Sequence, residues 1–432
     1  MWPYHPELLA KPVPRYTSYP PATEFTSGVG VNQQVEALNA IEAGTPFSIY
    51  VHIPYCNSIC WYCGCNTGLA AKEHRLQTYL EALEAEITLV GKLMGGRGKL
   101  ERIAFGGGSP NAIKPVAFVR LVDRLTTLFG GGDVDISVEI DPRSFSLEWA
   151  LTLAIANVRR ISFGVQSFDP EIQAAIGRIQ PVEMIETCVA ALRARGISSI
   201  NFDLMYGLPM QTMEKLDATL DEVLRLRPER VALFGYAHLP SMFPRQKRID
   251  ATSLPDARLR FDMAAHGHDR LVAEGYVQIG FDHFALPGDS MAKAAVSGRV
   301  RRNFQGFTDD ECDVVVGLGA SAISLFPDRI IQNEKNAGPY RDALIAGKLA
   351  GARGTWRDAD ARKRARIIET ILCQGRAEFS DPQDMASVKD ALDKFACAGL
   401  VTCEEKGIRL TDDGLPYSRH VAALFDTSQM RI

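Results

Sequence analysis

The chain has 432 residues, 46% hydrophobic and 23% charged, which is the balance of a globular protein rather than a disordered or fibrous one. Its formal charge of -4 gives no general pull toward nucleic acid or an anionic membrane surface, although a local basic pocket is compatible with it. No stretch approaches the ~18 uninterrupted apolar residues of a membrane span. The N-terminus, MWPYHPELLAKPVPRYTSYPP, lacks the basic start and apolar run of a signal peptide, so the cytoplasm is the expected location.

In chain order, residues 1–45 read as a covering N-terminal segment. From residue 46, short β-branched runs alternate with longer amphipathic ones. The strand-like runs are 47–53, 102–108, 136–140, 160–166, 200–207 and 230–237, each bounded by turn or polar residues. Helical patterns lie between them near 112–129, 146–156, 169–176, 182–195 and 212–226. The clearest helix carries Leu76, Leu80, Leu83, Ile87, Val90 and Met94 three or four apart. Six β-then-α units in succession require right-handed crossovers and a curved parallel sheet. After residue 240 the alternation decays, which predicts an incomplete (β/α)6 barrel, part of the α/β class, over 46–340. Residues 341–432 read as a small, mainly helical domain whose segment 391–414 forms a helix and a β-hairpin with a Lys-Gly turn. That segment resembles a winged helix, without the charge balance of a DNA binder.

Barrel chemistry sits at the C-terminal ends of strands, and the polar residues fall there. A cysteine group follows the first strand and Gly106-Gly-Gly-Ser-Pro the second; Glu139 and Gln166 end the third and fourth, and Asp203 lies late in the fifth. Four of the nine cysteines crowd between Cys56 and Cys65. They are too close to pair with one another without strain, so ligation fits better than disulfides. Structural zinc uses two Cys or Cys/His pairs with a spacer, and no second pair is present. A four-iron cluster tolerates a compact thiolate set on one loop.

Cys56, Cys60 and Cys63 have the Cys-x3-Cys-x2-Cys spacing of the radical S-adenosylmethionine superfamily. That resemblance implies three cysteines on a [4Fe-4S] cluster whose fourth iron is left for S-adenosylmethionine. Cys65 as a fourth ligand would close that position, so a supporting or hydrogen-donating role is expected for it.

Eleven motifs in order widen the resemblance. Among them are Pro14-Arg-Tyr-Thr-Ser-Tyr-Pro, Tyr50-Val-His-Ile-Pro, Val138-Glu-Ile-Asp-Pro-Arg, Gly164-Val-Gln-Ser-Phe, Asp203-Leu-Met-Tyr-Gly-Leu-Pro, Tyr236-Ala-His-Leu-Pro and Asn303-Phe-Gln-Gly. The chain resembles the oxygen-independent coproporphyrinogen III oxidase (dehydrogenase) family over nearly its whole length. The resemblance implies oxidative decarboxylation of two propionates of coproporphyrinogen III to vinyl groups, giving protoporphyrinogen IX. A 5′-deoxyadenosyl radical takes a hydrogen from the propionate β-carbon, carbon dioxide leaves, and one electron passes to an acceptor. It further implies two bound S-adenosylmethionine molecules. The first would be held by Tyr50, Gly107, Glu139 and Ile323, and the second by Tyr62, Gly108, Ser109, Gln166, Arg178, Asp203 and Ala237. Phe304 and Gln305 match a motif near the active site and join Cys65 as candidate catalytic residues. An electron donor such as flavodoxin or ferredoxin, an unidentified acceptor and a monomeric state are also expected.

The residue chemistry agrees on its own terms. Glu139 can accept from an ammonium, Asp203 from ribose hydroxyls, and Arg178 offers a fork to a carboxylate. Taken singly, Arg178 reads as a surface charge, Arg301-Arg302 as a solvated pair, and His52 and His283 as structural histidines. Arg15 and Arg301-Arg302 are the candidates for substrate carboxylates. The family has Thr where this chain has Ser109, and the hydroxyl is kept.

Three rivals remain at this level. Haem-delivering paralogues carry Phe at the position of Cys65 and lack the Asn303-Phe-Gln-Gly region. Methyl-transferring or haem-opening relatives share the two-cofactor site. A nicotinamide enzyme would read Gly317-Leu-Gly-Ala-Ser-Ala as a dinucleotide turn.

Overall fold

Each of the six predicted strands forms, and in every case its neighbour in the sheet runs parallel to it. The computed structural model describes residues 2–70 and 73–428. The strands are β1 (Pro46–Ile53), β2 (Lys99–Gly107), β3 (Asp135–Ile140), β4 (Val158–Gln166), β5 (Ser199–Tyr206) and β6 (Arg230–Gly235). The longer helices between them are α1 (Glu73–Met94), α2 (Pro115–Phe129), α3 (Leu147–Ile155), α4 (Val182–Arg193) and α5 (Met213–Leu226), and a short helix, Pro170–Ala175, precedes α4. Ser146 and Thr212 cap α3 and α5 by accepting from Trp149 and Lys215 backbone N–H groups.

The alternation of the strands decides the shape of the interior. On β3, Ile136, Val138 and Ile140 are buried, while Asp135, Ser137 and Glu139 face the other way and keep some accessibility. On β5 the same holds for Phe202 and Leu204 against Asn201 and Asp203. A filled barrel needs apolar residues on both faces of the sheet. Here the inward-facing positions of β3 and β5 are polar. At its N-terminal end Arg160 pairs with Asp135 at 2.7 Å.

Beyond residue 240, the decay of the pattern conceals further strands of the same sheet. β7 (Val314–Leu318) lies parallel to β1 on the side opposite β2, followed by antiparallel β8 (Ile323–Leu325), β9 (Arg329–Asn333) and β10 (Gly351–Trp356). Within this unit the order is β10-β9-β8-β7-β1-β2-β3-β4-β5-β6. Because an antiparallel strand, not a helix, follows β7, Gly317 and Gly319 do not form a dinucleotide turn. A Cβ on Gly317 would stand 2.5 Å from the Ile323 carbonyl oxygen, and one on Gly319 (φ +99°) would stand 2.6 Å from Tyr79 Oη. They are glycines for packing.

The chain divides into two units that are not contiguous in sequence, unlike the boundaries at 45/46 and 340/341 read from composition. One comprises Phe25–Asp256 and Cys312–Trp356, and the other Met1–Glu24, Ala257–Glu311 and Arg357–Ile432. The reason is a shared core. Tyr16 and Tyr19, Phe261 and Phe307, and Ile371, Leu392 and Phe425 belong to one hydrophobic cluster. In this second unit the expected hairpin forms as Val401–Glu404 and Gly407–Leu410, and a third strand, Arg376–Glu378, pairs with it. Among the described residues, no helix is long and apolar enough to cross a membrane.

Candidate active site

After β1 the chain enters a loop that carries all four clustered cysteines. The loop is closed by Gly68 N–H donating to the Pro54 carbonyl and Ala70 N–H to the Cys56 carbonyl, both at 2.9 Å. The far side of the same unit fastens it. Trp61 N–H donates to the Ile176 carbonyl at 3.0 Å, and the indole lies against Gly177 with the Arg248 guanidinium 4.7 Å above it. Gln246 donates to the Tyr62 carbonyl (2.8 Å), Arg245 to Thr67 Oγ1 (3.0 Å), and Asn66 to the Lys335 carbonyl (2.7 Å). These protein contacts pin the loop at both ends and along its length.

All nine cysteines are free thiols. Cys60 is buried, and its sulfur receives Arg143 Nη2 and Arg178 Nη1, each at 3.2 Å. The Cys63 sulfur receives the Cys65 backbone N–H at 3.3 Å. The hydrogen bond from the Cys65 thiol, together with nearby Arg245 and Arg178, outweighs burial and brings the Cys63 thiol down to about 6. Burial pushes the Cys56 thiol up to about 12, with Cys63 adding to the shift.

Among the described residues, no three Cys, His, Asp or Glu side chains close around a single ion. The thiolates of a cluster lie around four irons rather than one. The donor set suits a cluster: three thiols on one preformed loop, with N–H donors aimed at two of the sulfurs.

The glycine turn after β2 contributes space rather than free N–H groups. Gly107 N–H donates to Glu139 Oε2 (3.1 Å), Gly108 N–H to the Ile53 carbonyl (2.9 Å) and Ser109 N–H to the Tyr55 carbonyl (2.8 Å). A Cβ on Gly106 would stand 2.7 Å from the Glu139 carboxylate, and one on Gly107 (φ +106°) would overlap the His52 ring. Tyr50 Oη and His52 Nδ1 share a hydrogen bond of 3.2 Å, and burial pulls His52 down to about 4, so the imidazole is neutral at pH 7.

Glu139 and Cys65 keep exposed area, yet protein surrounds them closely enough to shift their proton affinities strongly. Both conditions are met by groups lining an inward-facing concavity. Burial, and next the like charge of Asp203, raise Glu139 to about 7 against the opposing pull of Gly107 N–H. Asp203 accepts from Ser162 Oγ (3.0 Å) and Asn201 Nδ2 (2.8 Å).

Several expected ligands are engaged by protein groups. The Ser109 side chain is 2% exposed; its hydroxyl is engaged with Asn111 and accepts Asp141 N–H at 3.2 Å. Arg178 is 6% exposed, and each of its three nitrogens is held by protein: Gly164, Gln180, Cys60 and Asp141 share them. It is not a surface charge, and its guanidinium is held by protein groups on every nitrogen. Tyr62 and Trp61 pack into a small core with Ile172, Ile176, Leu208 and Tyr236. Gln166 is buried at φ +68°, Ala237 is exposed with its carbonyl accepting from Gln246, and Ile323 opens β8.

Phe304 and Gln305 belong to the second unit. They form the tip of a hairpin between Arg301–Asn303 and Gly306–Thr308. Arg302 is half-buried rather than freely solvated. It lies 4.3 Å from the Phe307 ring centre and 5.0 Å from that of Phe281, and donates to the Arg15 and Tyr16 carbonyls.

Sequence reasoning left Asp141, Arg143, Arg245 and Gln246 without roles. The first pair lies inside the quoted Glu-Ile-Asp-Pro-Arg motif, where only Glu139 was given a role. The second pair follows the Tyr236-Ala-His-Leu-Pro motif by a few residues.

A model of the radical SAM superfamily matches residues 50–223. The oxygen-independent coproporphyrinogen III oxidase of Bradyrhizobium diazoefficiens is 40% identical over 423 residues, covering 96% of this chain and 94% of its own length. That of Escherichia coli strain K12 is 36% identical over 424 residues, covering 96% and 92%. The solved Escherichia coli coproporphyrinogen III oxidase, described as a radical SAM enzyme, superposes with a TM-score of 0.93 at 34% identity and covers 99% of both chains.

Proposed function

The chain belongs to the oxygen-independent coproporphyrinogen III oxidase family of radical SAM enzymes, and on that premise we propose that its cysteine loop and acidic concavity are the working site. The reaction is oxidative decarboxylation of the propionates of coproporphyrinogen III. Cys56, Cys60 and Cys63 are the thiolates that hold the [4Fe-4S] cluster. When bound, the cluster and S-adenosylmethionine supply the 5′-deoxyadenosyl radical that takes a hydrogen atom from a propionate β-carbon.

This chain's own residues bind and orient. Glu139, fixed through one oxygen by Gly107 N–H, has the other to accept from the ammonium group of the first S-adenosylmethionine. Tyr50, locked to His52, forms the wall beside it, and Gly106 and Gly107 keep the approach open. Asp203, braced by Ser162 and Asn201, suits ribose hydroxyls of the second molecule, with Gln166 and Tyr62 beside it. Cys65 supports Cys63 through its N–H, and Phe304 and Gln305 meet the tetrapyrrole. A flavodoxin- or ferredoxin-type carrier supplies single electrons. The enzyme acts as a cytoplasmic monomer, which size-exclusion chromatography of the reconstituted protein tests.

The observation that carries this reading is the sulfur environment: three thiols on one loop, with guanidinium and backbone donors already directed at Cys60 and Cys63. The test is anaerobic reconstitution, reduction, and addition of S-adenosylmethionine and coproporphyrinogen III. Protoporphyrinogen IX and 5′-deoxyadenosine are expected together. Cys56→Ser, Cys60→Ser and Cys63→Ser should each lose the cluster absorbance, and Cys65→Ser should keep it. Deoxyadenosine without decarboxylated porphyrin would instead place the chain with the methyl-transferring or haem-opening relatives.

A further inference from the structure

Cys60 differs from the other cysteines of the loop in being flanked by two guanidinium groups. Arg143, from the short turn after β3, and Arg178, from the loop before α4, both donate to its sulfur at 3.2 Å. Asp141 unites them. It accepts Arg143 Nη2 at 2.6 Å and Nε at 3.0 Å, and Arg178 Nη2 at 3.3 Å. Asp141 is itself fixed, because its backbone N–H donates to Ser109 Oγ (3.2 Å) and Asn111 Oδ1 (3.1 Å). Asn111 is held in turn by the Asp141 carbonyl (2.9 Å) and by Ser144 (3.0 Å). Two cations and one anion thus sit beside one buried sulfur, leaving a net positive charge in a region of low effective dielectric.

We propose that Arg143, Arg178 and Asp141 act as an electrostatic unit that sets the reduction potential of the iron–sulfur cluster through Cys60. The inference rests on Cys60 being a cluster ligand, as proposed above. The step concerned is the uptake of one electron by the oxidised cluster from a one-electron carrier, with no bond made or broken. The added charge spreads onto the ligand sulfurs. N–H donors and positive charge at a sulfur stabilise the reduced form and raise the potential. Arg143 is the informative member, since its remaining contact is the Ser58 carbonyl at 3.3 Å and it has no part in the proposed cofactor contacts. It is a positioning residue, acting through Cys60.

The test is an EPR-monitored redox titration of the reconstituted, substrate-free protein. Arg143→Gln removes a cation and should lower the midpoint, weakening one-electron reduction about tenfold, ~59 mV for a one-electron couple. Arg143→Lys keeps the charge and should lie between wild type and Arg143→Gln. Asp141→Asn removes the anion and should move the midpoint the other way.

That opposition of sign separates electrostatic tuning from mere loosening, which would shift both variants alike. Equal shifts, or none, in proteins with intact cluster spectra would overturn the proposal. So would failure of all three variants to hold a cluster, because tuning requires these residues to be dispensable for assembly. If wild type itself forms no cluster, or Cys60→Ser keeps a complete one, the ligand assignment fails instead.

Discussion

Replacing Glu139 with Gln removes a carboxylate whose proton affinity the fold has raised from the ordinary 4.5 to about 7, by burial first and by the neighbouring Asp203 second. If Glu139 grips the ammonium group of S-adenosylmethionine, only its ionised form does so. A group with a pKa of about 7 is roughly one-tenth ionised at pH 6 and nine-tenths at pH 8, so the apparent Kd should fall about tenfold between them. Glu139→Gln should bind about 10- to 150-fold more weakly at pH 8, the equivalent of one charge-assisted hydrogen bond of ~1.5–3 kcal/mol. It should show no acid limb of its own. Any titration of S-adenosylmethionine is common to both proteins and cancels in the comparison. Asp203→Asn removes the second cause of the shift, so its acid limb should move to lower pH. Anaerobic isothermal titration calorimetry on reconstituted protein, across pH 6 to 8, reads all three. An acid limb as steep in Glu139→Gln as in wild type would refute the reasoning.

Glu86, on α1 and wholly buried, accepts from Gly319 N–H (2.6 Å), Asn333 Nδ2 (2.7 Å) and Tyr340 Oη (2.6 Å), and burial still raises it to about 7. Its folded pKa exceeds the unfolded one, so its contribution is fully present below about 4.5 and is lost as pH rises through about 7. Denaturation midpoints at pH 5 and pH 8 should show wild type losing ~2–3 kcal/mol more than Glu86→Gln over that interval; equal losses would remove Glu86 as the source. Glu86→Ala orphans three donors at ~1–3 kcal/mol each and should lower the thermal midpoint at every pH. Gly177→Ala puts a methyl group 2.7 Å from the Trp61 indole at φ +65°, so tryptophan fluorescence should shift and cluster loading should fall, while an unchanged spectrum would show the loop adapting. Phe304→Ala should reduce kcat/KM for coproporphyrinogen III at least tenfold while leaving the S-adenosylmethionine Kd unchanged; a change in that Kd would assign Phe304 to the cofactor instead.

Residues 46–240 were legible because local patterns carry their information. Strand-length β-branched runs and helix-length amphipathic runs alternate, and each boundary lies near a turn or cap. The cysteine spacing was equally plain, since a loop that wraps one group keeps its ligands close in sequence. After residue 240 the signal failed for a physical reason. β7 to β10 are short, three of them are antiparallel, and no amphipathic helices separate them at a regular interval, so periodicity had nothing to repeat. The second unit was legible only in its C-terminal part, because its core joins Tyr16, Phe261 and Phe425, and burial shared across hundreds of residues leaves no local trace.

The sequence by itself determined the class of chemistry: three thiols at Cys56, Cys60 and Cys63, and acids at the ends of parallel strands. Residue type and spacing are enough to say what such groups can bind. Only the tertiary structure decided how each group is charged and held. Arg178 reads in one dimension like any surface arginine, but in the fold it is a buried donor to Cys60. Glu86 sits in a helical stripe that the pattern assigns to apolar residues, and three donors from distant segments keep its carboxylate there. Glu139 is raised to about 7 by burial first and by Asp203, on another strand, second. Burial and charge–charge energies depend on distances in space, which linear order does not carry.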